Sequence, residues 1–183
     1  MTRIKLIKKA QDLINKKLNS QKLHHSIRVA NYVKLVSKNV GYGDLEILIL
    51  SALLHDLAES KSLNGDNARE SAEVAVSWLK KQGLAKNDLV SIKKCILATT
   101  KDKLSKYSLE ESIVHDANIL DSMGLIGILR VAYIMGKNSD KDSLEDLIIW
   151  FEKYSKELQK NLINDVSKEI AGEKSREIII GAC

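Results

Sequence analysis

The sequence predicts an all-α protein organised as one domain, on the basis of its composition and length. It contains no proline and only 9 glycines. Leucine, isoleucine, lysine, glutamate and alanine dominate, and all are acceptable or good helix formers, whereas an all-β domain of this length would need more turn-forming residues. Because no internal repeat or change of composition marks a second domain in the 183 residues, we expect residues 1–183 to form a single helical domain of about eight or nine helices.

The first three helices are placed by the periodicity of their apolar residues. Apolar side chains recur at helical spacing along residues 3–18, with lysines on the opposite face. A second amphipathic helix is predicted over residues 21–39, and the sequence VGYGD then breaks the pattern. Asp44 is the expected N-cap of a third helix that extends to about Glu59. The polar, turn-rich stretch 60–67 should follow it as a loop.

Two further helices are predicted before residue 101. The sequence ARESAEVAVSWLKKQG has the apolar spacing of a fourth helix, which Gly83 ends. Asn87 or Asp88 is the expected cap of a fifth helix that runs to about Thr100. The sequence TKDKLSKYS is expected to form the next loop.

The remaining sequence predicts four more helices. Ser108 and Glu111 have the spacing of a capping box for a sixth helix, which covers LEESIVHDANILDSMG. Because apolar residues continue beyond it, a seventh helix should begin near Gly124. An eighth helix is predicted over residues 140–162, and a ninth within residues 163–183.

The charge and cysteine content narrow the classes of partner and location. The formal net charge is +5 with lysines scattered along the chain, which favours solvated helix surfaces, with a phosphorylated small molecule as the alternative. No basic stripe interleaved with aromatic residues predicts nucleic-acid binding. No apolar run is long enough to span a bilayer, and the first residues lack the apolar core of a signal peptide. Cys95 and Cys183 form no disulfide framework, so we expect a cytoplasmic protein without membrane contact.

The sequence SALLHDLAES, residues 51–60, places two polar side chains within an apolar stripe. Burying His55 or Asp56 without a partner costs free energy, so each should bind something. His25 occurs one helix earlier, and HDANILD adds carboxylates downstream. A lone histidine on a helix is usually structural or exposed, but imidazole and carboxylate groups from separate helices suit Mn²⁺, Fe²⁺, Zn²⁺ or Ni²⁺.

Three segments together resemble the HD superfamily of metal-dependent phosphohydrolases, an all-α family with the pattern H…HD…D. The segments are HSIRV, ALLHD and DANILDSMGLIGILR, and the resemblance covers about residues 20–135. The later helices would complete the fold. The resemblance implies one divalent metal ion (Mn, Fe, Zn, Ni or Mg) bound by His25, His55, Asp56 and a distal residue.

The identity of the distal ligand is open at the level of sequence. In many relatives an aspartate stands where this chain has Asn118, and a neutral amide oxygen holds a cation more weakly than a carboxylate. We therefore expect Asp116 to be the distal ligand, with Asn118 as the alternative. The loops here lack the extra histidines that hold a second metal ion in some relatives, which favours a single ion.

The resemblance also suggests groups that act on a phosphate. Glu59 follows Asp56 by three residues, a spacing similar to that of family members in which this glutamate assists proton transfer. We expect Asp56 and Glu59 to serve catalysis. Arg28, Lys101 and Arg130 are candidates for binding phosphate oxygens, and the alternative for each is an ordinary surface or structural residue.

The function implied is a metal-dependent phosphohydrolase acting on a nucleotide or a related phosphate ester or anhydride. Nucleotide pyrophosphohydrolase and phosphatase activities both fit the resemblance. The alternative is a catalytically weakened HD-fold protein that binds a nucleotide or a partner protein. Asn118 and the missing loop histidines favour this alternative. A homodimer is compatible with either function.

Overall fold

The protein is all-α, as the sequence predicts. Its computed structural model describes residues 2–41, 44–58, 67–100, 106–138 and 143–180. Within these ranges the chain forms nine helices and no strand, and none of the helices is long and apolar enough to cross a membrane. The helices are α1 (Arg3–Lys17), α2 (Ser20–Val40), α3 (Leu45–Leu54), α4 (Asn67–Lys81), α5 (Lys86–Ala98), α6 (Leu109–Asp121), α7 (Gly124–Asn138), α8 (Leu144–Asn161) and α9 (Asp165–Ile180).

The central helix of the fold is α3. Every residue from Ile47 to Leu54 is buried, and the helix packs against α1, α2, α4, α5 and α6. A helix that is apolar all round is stable in water only when its whole surface is covered. Each buried leucine or isoleucine contributes about 1.5–3 kcal/mol, so α3 fixes the position of whatever follows its last turn.

Some helix boundaries differ from the sequence predictions. The third helix ends at Leu54 rather than near Glu59, with His55 as its C-cap, and Glu59 lies outside the described residues. The fifth helix begins at Lys86 with Ala85 at its N-cap, so the prediction that Asn87 or Asp88 caps it is wrong. Asp88 lies inside the first turn and pairs with Arg3 at 2.8 Å. By contrast, the predicted caps Asp44 and Ser108 are confirmed, since each side chain accepts a backbone N–H of the first turn.

Asp116 joins α6 to the turn between α8 and α9. Its fully buried carboxylate accepts the backbone N–H groups of Ile163 at 3.0 Å and Asn164 at 2.8 Å. The side-chain amide of Asn164 also donates to it at 2.8 Å, and His115 Nδ1 lies 3.1 Å away. One carboxylate therefore satisfies three partly buried donors in the turn that leads into α9.

Replacing Asp116 with alanine should lower the free energy of unfolding by about 2–3 kcal/mol, because it leaves these donors unsatisfied. Urea denaturation with and without Mn²⁺ measures the loss, which we expect to be present in both. Asp12→Ala, at an exposed position of α1, is the control and should change stability by less than about 0.5 kcal/mol. Equal losses in the two variants would contradict a structural role for Asp116.

Gly127 allows a tight passage from α6 into α7. A Cβ atom at this position would lie 2.2 Å from the carbonyl oxygen of Ser122 and 3.2 Å from the Phe151 ring. The close approach sets the start of α7 against the end of α6. It therefore also sets the position of Arg130, which lies about one turn further along α7.

Gly127→Ala should destabilise the protein by about 1–3 kcal/mol, since a backbone carbonyl would have to move. Gly136 lies on the same helix with open space around its Cα, so Gly136→Ala should be neutral or stabilise by up to about 1 kcal/mol. Thermal or urea unfolding of the two variants checks this difference in sign. A stable Gly127→Ala protein would show that the α6–α7 turn has room to relax.

Candidate functional site

Two buried histidines meet where α2 passes the end of α3. His25 projects from α2, and His55 is the C-cap of α3. Their rings meet edge to face with centroids 5.0 Å apart, and the two Nε2 atoms are separated by 3.1 Å. Of the residues predicted to bind a metal ion, these two are brought into direct contact.

The hydrogen bonds of the outer ring nitrogens fix both tautomers. His25 Nδ1 donates to the Asp121 carboxylate at 2.6 Å, and His55 Nδ1 donates to the Ala52 carbonyl at 2.8 Å. Because both partners only accept hydrogen bonds, each Nδ1 must carry the proton. A neutral ring then has its lone pair on Nε2, so across the 3.1 Å gap one Nε2 can accept a hydrogen bond from the other, or both can bind one cation.

The electrostatics favour a neutral His55. Burial, followed by the neighbouring His25, lowers the pKa of His55 to about 4. At neutral pH its Nε2 is therefore an unprotonated donor of electrons. Two metal–nitrogen bonds of about 2.0–2.1 Å at roughly a right angle end about 3 Å apart, so the observed 3.1 Å separation fits two ligands of one ion.

Asp121 is the buried anion of the site, and sequence analysis gave it no role. Arg28 donates to it from Nε at 2.6 Å and from Nη2 at 3.0 Å. Arg130 donates to it from Nη1 at 3.0 Å. Burial opposes ionisation of Asp121, but the hydrogen bonds from His25 and Arg28 outweigh it and lower its pKa to about 2. The segment DANILDSMGLIGILR, which carries the family resemblance, contains both Asp121 and Arg130. This segment was the sequence signal that could have identified Asp121.

Arg28 and Arg130, predicted to bind phosphate, are thus anchored on a protein carboxylate. Their side chains remain 32% and 30% exposed, so part of each guanidinium is open to solvent. Phosphate binding by these two residues stays a prediction. The third candidate, Lys101, lies outside the described residues, as does Glu59.

Asp56 contacts a lysine that sequence analysis did not single out. Lys22 Nζ lies 3.1 Å from Asp56 Oδ1 and donates to the Ala58 carbonyl at 2.9 Å. The pair is half-buried. Asp56, which follows His55 in the sequence, is therefore already paired with a cation of the protein.

The two candidates for the distal ligand lie in different surroundings. The contacts of Asp116 are at the α8–α9 turn, which gives it a structural role and no bond to either imidazole. Asn118 is half-buried, and its Nδ2 donates to the Thr99 carbonyl at 3.4 Å, which leaves Oδ1 to accept. Asn118 precedes Asp121 by three residues and shares its helix face. The expected choice of Asp116 over Asn118 finds no support in these contacts.

In the described ranges no group of three or more His, Cys, Asp or Glu side chains is arranged to hold a metal ion. The imidazole pair fits two ligands of an ion, and the oxygen ligands are not assembled around it. In this arrangement Asp56 is instead paired with Lys22.

An all-α fold with a histidine on one helix beside a His-Asp pair at the end of the next defines a protein of the H…HD type. The HD domain model matches residues 23–123, more than half of the chain. The chain belongs to the HD domain family.

Solved structures with the same fold match along nearly the whole chain. Bacillus subtilis YpgQ in complex with ADP is 23% identical with a TM-score of 0.76, covering 100% of this chain and 94% of that one. A Listeria innocua protein is 24% identical with a TM-score of 0.75, covering 100% and 93%. An HD-superfamily hydrolase from Bacillus thuringiensis is 22% identical with a TM-score of 0.76, covering 99% and 95%. No curated protein matches the sequence.

Asp121→Asn should lower the free energy of unfolding at pH 7 by about 2 kcal/mol, because the amide brings no charge to Arg28 and Arg130. The folded-state pKa of Asp121 is depressed to about 2, so its contribution is present above the unfolded pKa near 4 and is lost as the pH falls towards 2. Urea denaturation across this range should therefore show the gap to the wild type closing. A gap that stays constant down to pH 2 would assign the loss to packing instead of charge.

Proposed function

We propose that the protein is a metal-dependent phosphohydrolase that acts on a nucleotide or a related phosphate ester or anhydride. The observation that carries the proposal is the pair of buried Nε2 atoms 3.1 Å apart, each on a ring whose Nδ1 donates to a protein oxygen, which leaves Nε2 available to a cation. Metal-binding histidines are in general oriented by a hydrogen bond that the other ring nitrogen donates to a carboxylate or a backbone carbonyl. Membership of the HD family agrees with hydrolytic chemistry, and the related hydrolase from Bacillus thuringiensis has the same fold.

His25, His55 and Asp56 would hold the ion, with Asn118 Oδ1 as the distal ligand in place of Asp116. Asn118 is the better candidate because its amide nitrogen is already used by Thr99, whereas the Asp116 carboxylate is consumed at the α8–α9 turn. Asp56 would exchange its contact with Lys22 for the ion. A divalent ion, when bound, lowers the pKa of a bound water and polarises a phosphoryl group.

The remaining residues would orient the reactants and balance charge. Asp121 holds the His25 ring in the tautomer that presents Nε2. Lys22, once released from Asp56, would supply a cation to phosphate oxygens, together with the exposed parts of Arg28 and Arg130. Asp56 and Glu59 remain the proposed groups for orienting water and accepting its proton, and Lys101 remains a proposed phosphate contact.

A second candidate function is nucleotide or partner binding without catalysis. The Lys22–Asp56 ion pair favours it, because this pair gives Asp56 a stable partner when no metal ion is bound. The neutral amide of Asn118 also binds a divalent cation more weakly than a carboxylate would, which lowers the expected affinity of the site for a metal ion. The complex of Bacillus subtilis YpgQ with ADP supports a nucleotide as the ligand under either function.

Purified protein should bind one Mn²⁺ ion and release phosphate or pyrophosphate from nucleoside triphosphates or monophosphates. His25→Ala should weaken Mn²⁺ binding at least tenfold, about 1.4 kcal/mol, because it removes one of two imidazole ligands. Equilibrium dialysis measures the binding, and a phosphate-release screen with Mn²⁺ measures the activity.

The neighbouring His24 is exposed and bonds within its own helix to the Ser20 carbonyl, so His24→Ala is the matched control and should bind Mn²⁺ like the wild type. Nucleotide binding without any turnover would establish the second candidate function. Equal Mn²⁺ binding by the His25→Ala and His24→Ala variants would contradict the metal site itself.

A further inference from the structure

An open groove lies between the start of α2 and the exposed face of α7. Its volume is about 680 Å³, within the range of about 300–1,000 Å³ typical of small-molecule sites. We call it the α2–α7 groove, and it is lined by Asn19, Ser20, Gln21, His24, Arg28, Ile126, Leu129, Arg130 and Tyr133.

One end of the groove is cationic. Arg28 and Arg130 both line it, and both bind the single carboxylate of Asp121. Two guanidinium charges against one carboxylate leave a net positive charge at this end. Each guanidinium has five N–H donors, and the bonds to Asp121 use two on Arg28 and one on Arg130. The groove can therefore receive an anion with directed hydrogen bonds.

The other wall of the groove is apolar and exposed. Ile126, Leu129 and Tyr133 are 39%, 55% and 55% exposed, and their spacing of three and four residues puts them on one face of α7. A contiguous apolar patch next to charged residues usually marks a binding surface. A ligand that matches both the two arginines and the apolar side chains has an anionic group and, next to it, a flat, weakly polar group.

The cationic end lies next to the imidazole pair. Asp121 contacts both arginines and also His25, whose Nε2 faces His55. A phosphate bound to the exposed guanidinium groups would therefore be separated from the imidazole pair by one residue. The apolar side chains flank Arg130 on α7, with Ile126 about one turn before it and Tyr133 about one turn after it.

We propose that the α2–α7 groove binds the nucleoside part of a phosphorylated substrate, with its phosphates at Arg28 and Arg130 and its base against Leu129 and Tyr133. This inference rests on the proposed function and adds the surface that recognises the substrate. A small molecule is favoured over a second copy of the chain because the cationic end needs an anionic group, and the volume suits a nucleotide.

The test compares two leucines of α7 that differ in their relation to the groove. Leu129 is 55% exposed and lines it, whereas Leu125 is 59% exposed and does not. Because both side chains are largely exposed, serine at either position should leave the core packing unchanged. Isothermal titration with ADP and with pyrophosphate, in the presence of Mn²⁺, measures binding to the wild type, Leu129→Ser and Leu125→Ser proteins.

Leu129→Ser should raise the Kd for ADP about tenfold and leave the Kd for pyrophosphate within about twofold. Leu125→Ser should change neither. Equal effects of the two variants on ADP, or no ADP binding by the wild type, would overturn the inference. A wild-type dimer that Leu129→Ser dissociates, with ADP binding unchanged, would overturn it in favour of a subunit interface, and light scattering detects this.

The readout is binding, so it is independent of turnover. If the protein hydrolyses nucleotides but the two leucine variants bind ADP equally, the proposed function stands and the proposal about the groove is refuted. If the protein hydrolyses no nucleotide but binds ADP more weakly after Leu129→Ser, the proposal about the groove stands and the proposed function is refuted.

Discussion

The buried carboxylate of Asp121 is the constraint on which the arrangement of the site depends. It lies on α6 and is bound by His25 and Arg28 from α2 and by Arg130 from α7. A buried carboxylate without partners costs several kcal/mol, so these three helices must keep their mutual positions for the charge to remain satisfied. The same contacts orient the imidazole of His25. The contacts of Asp121 that hold α2, α6 and α7 together are therefore the same contacts that orient the His25 ring.

The apolar core and the polar cluster contribute different things. Helix α3 is buried along Ile47–Leu54, and each of its large side chains contributes about 1.5–3 kcal/mol, so the core supplies most of the stability. The ion pairs of Asp121 contribute far less in net terms, because desolvation offsets most of their attraction. Their main effect is on the orientation of His25, since the hydrogen bond to Asp121 decides which ring nitrogen carries the proton. His55 depends on both, because it is placed by the core and oriented by the Ala52 carbonyl.

The sequence predicted features that depend on local pattern and missed those that depend on distant contacts. The nine helices of the described residues agree with the eight or nine that periodicity predicts. Asp44 and Ser108 act as caps because a cap needs only its own first turn. The pairing of His25 with His55 was foreseeable from the motif order. The partners of Asp116 lie 47 and 48 positions along the chain, and no local pattern reports such contacts. For the same reason Asp121 was seen as one of several clustered acids, and its role as the common partner of two arginines was not.

The orientations of the two imidazoles differ in how easily a mutation can alter them. His55 is oriented by the backbone carbonyl of Ala52, an atom that every amino acid at that position would provide. His25 is oriented by the side chain of Asp121, which a single nucleotide change in the gene can remove. A substitution on α6 can therefore change the orientation of His25 without removing the hydrogen bond that orients His55.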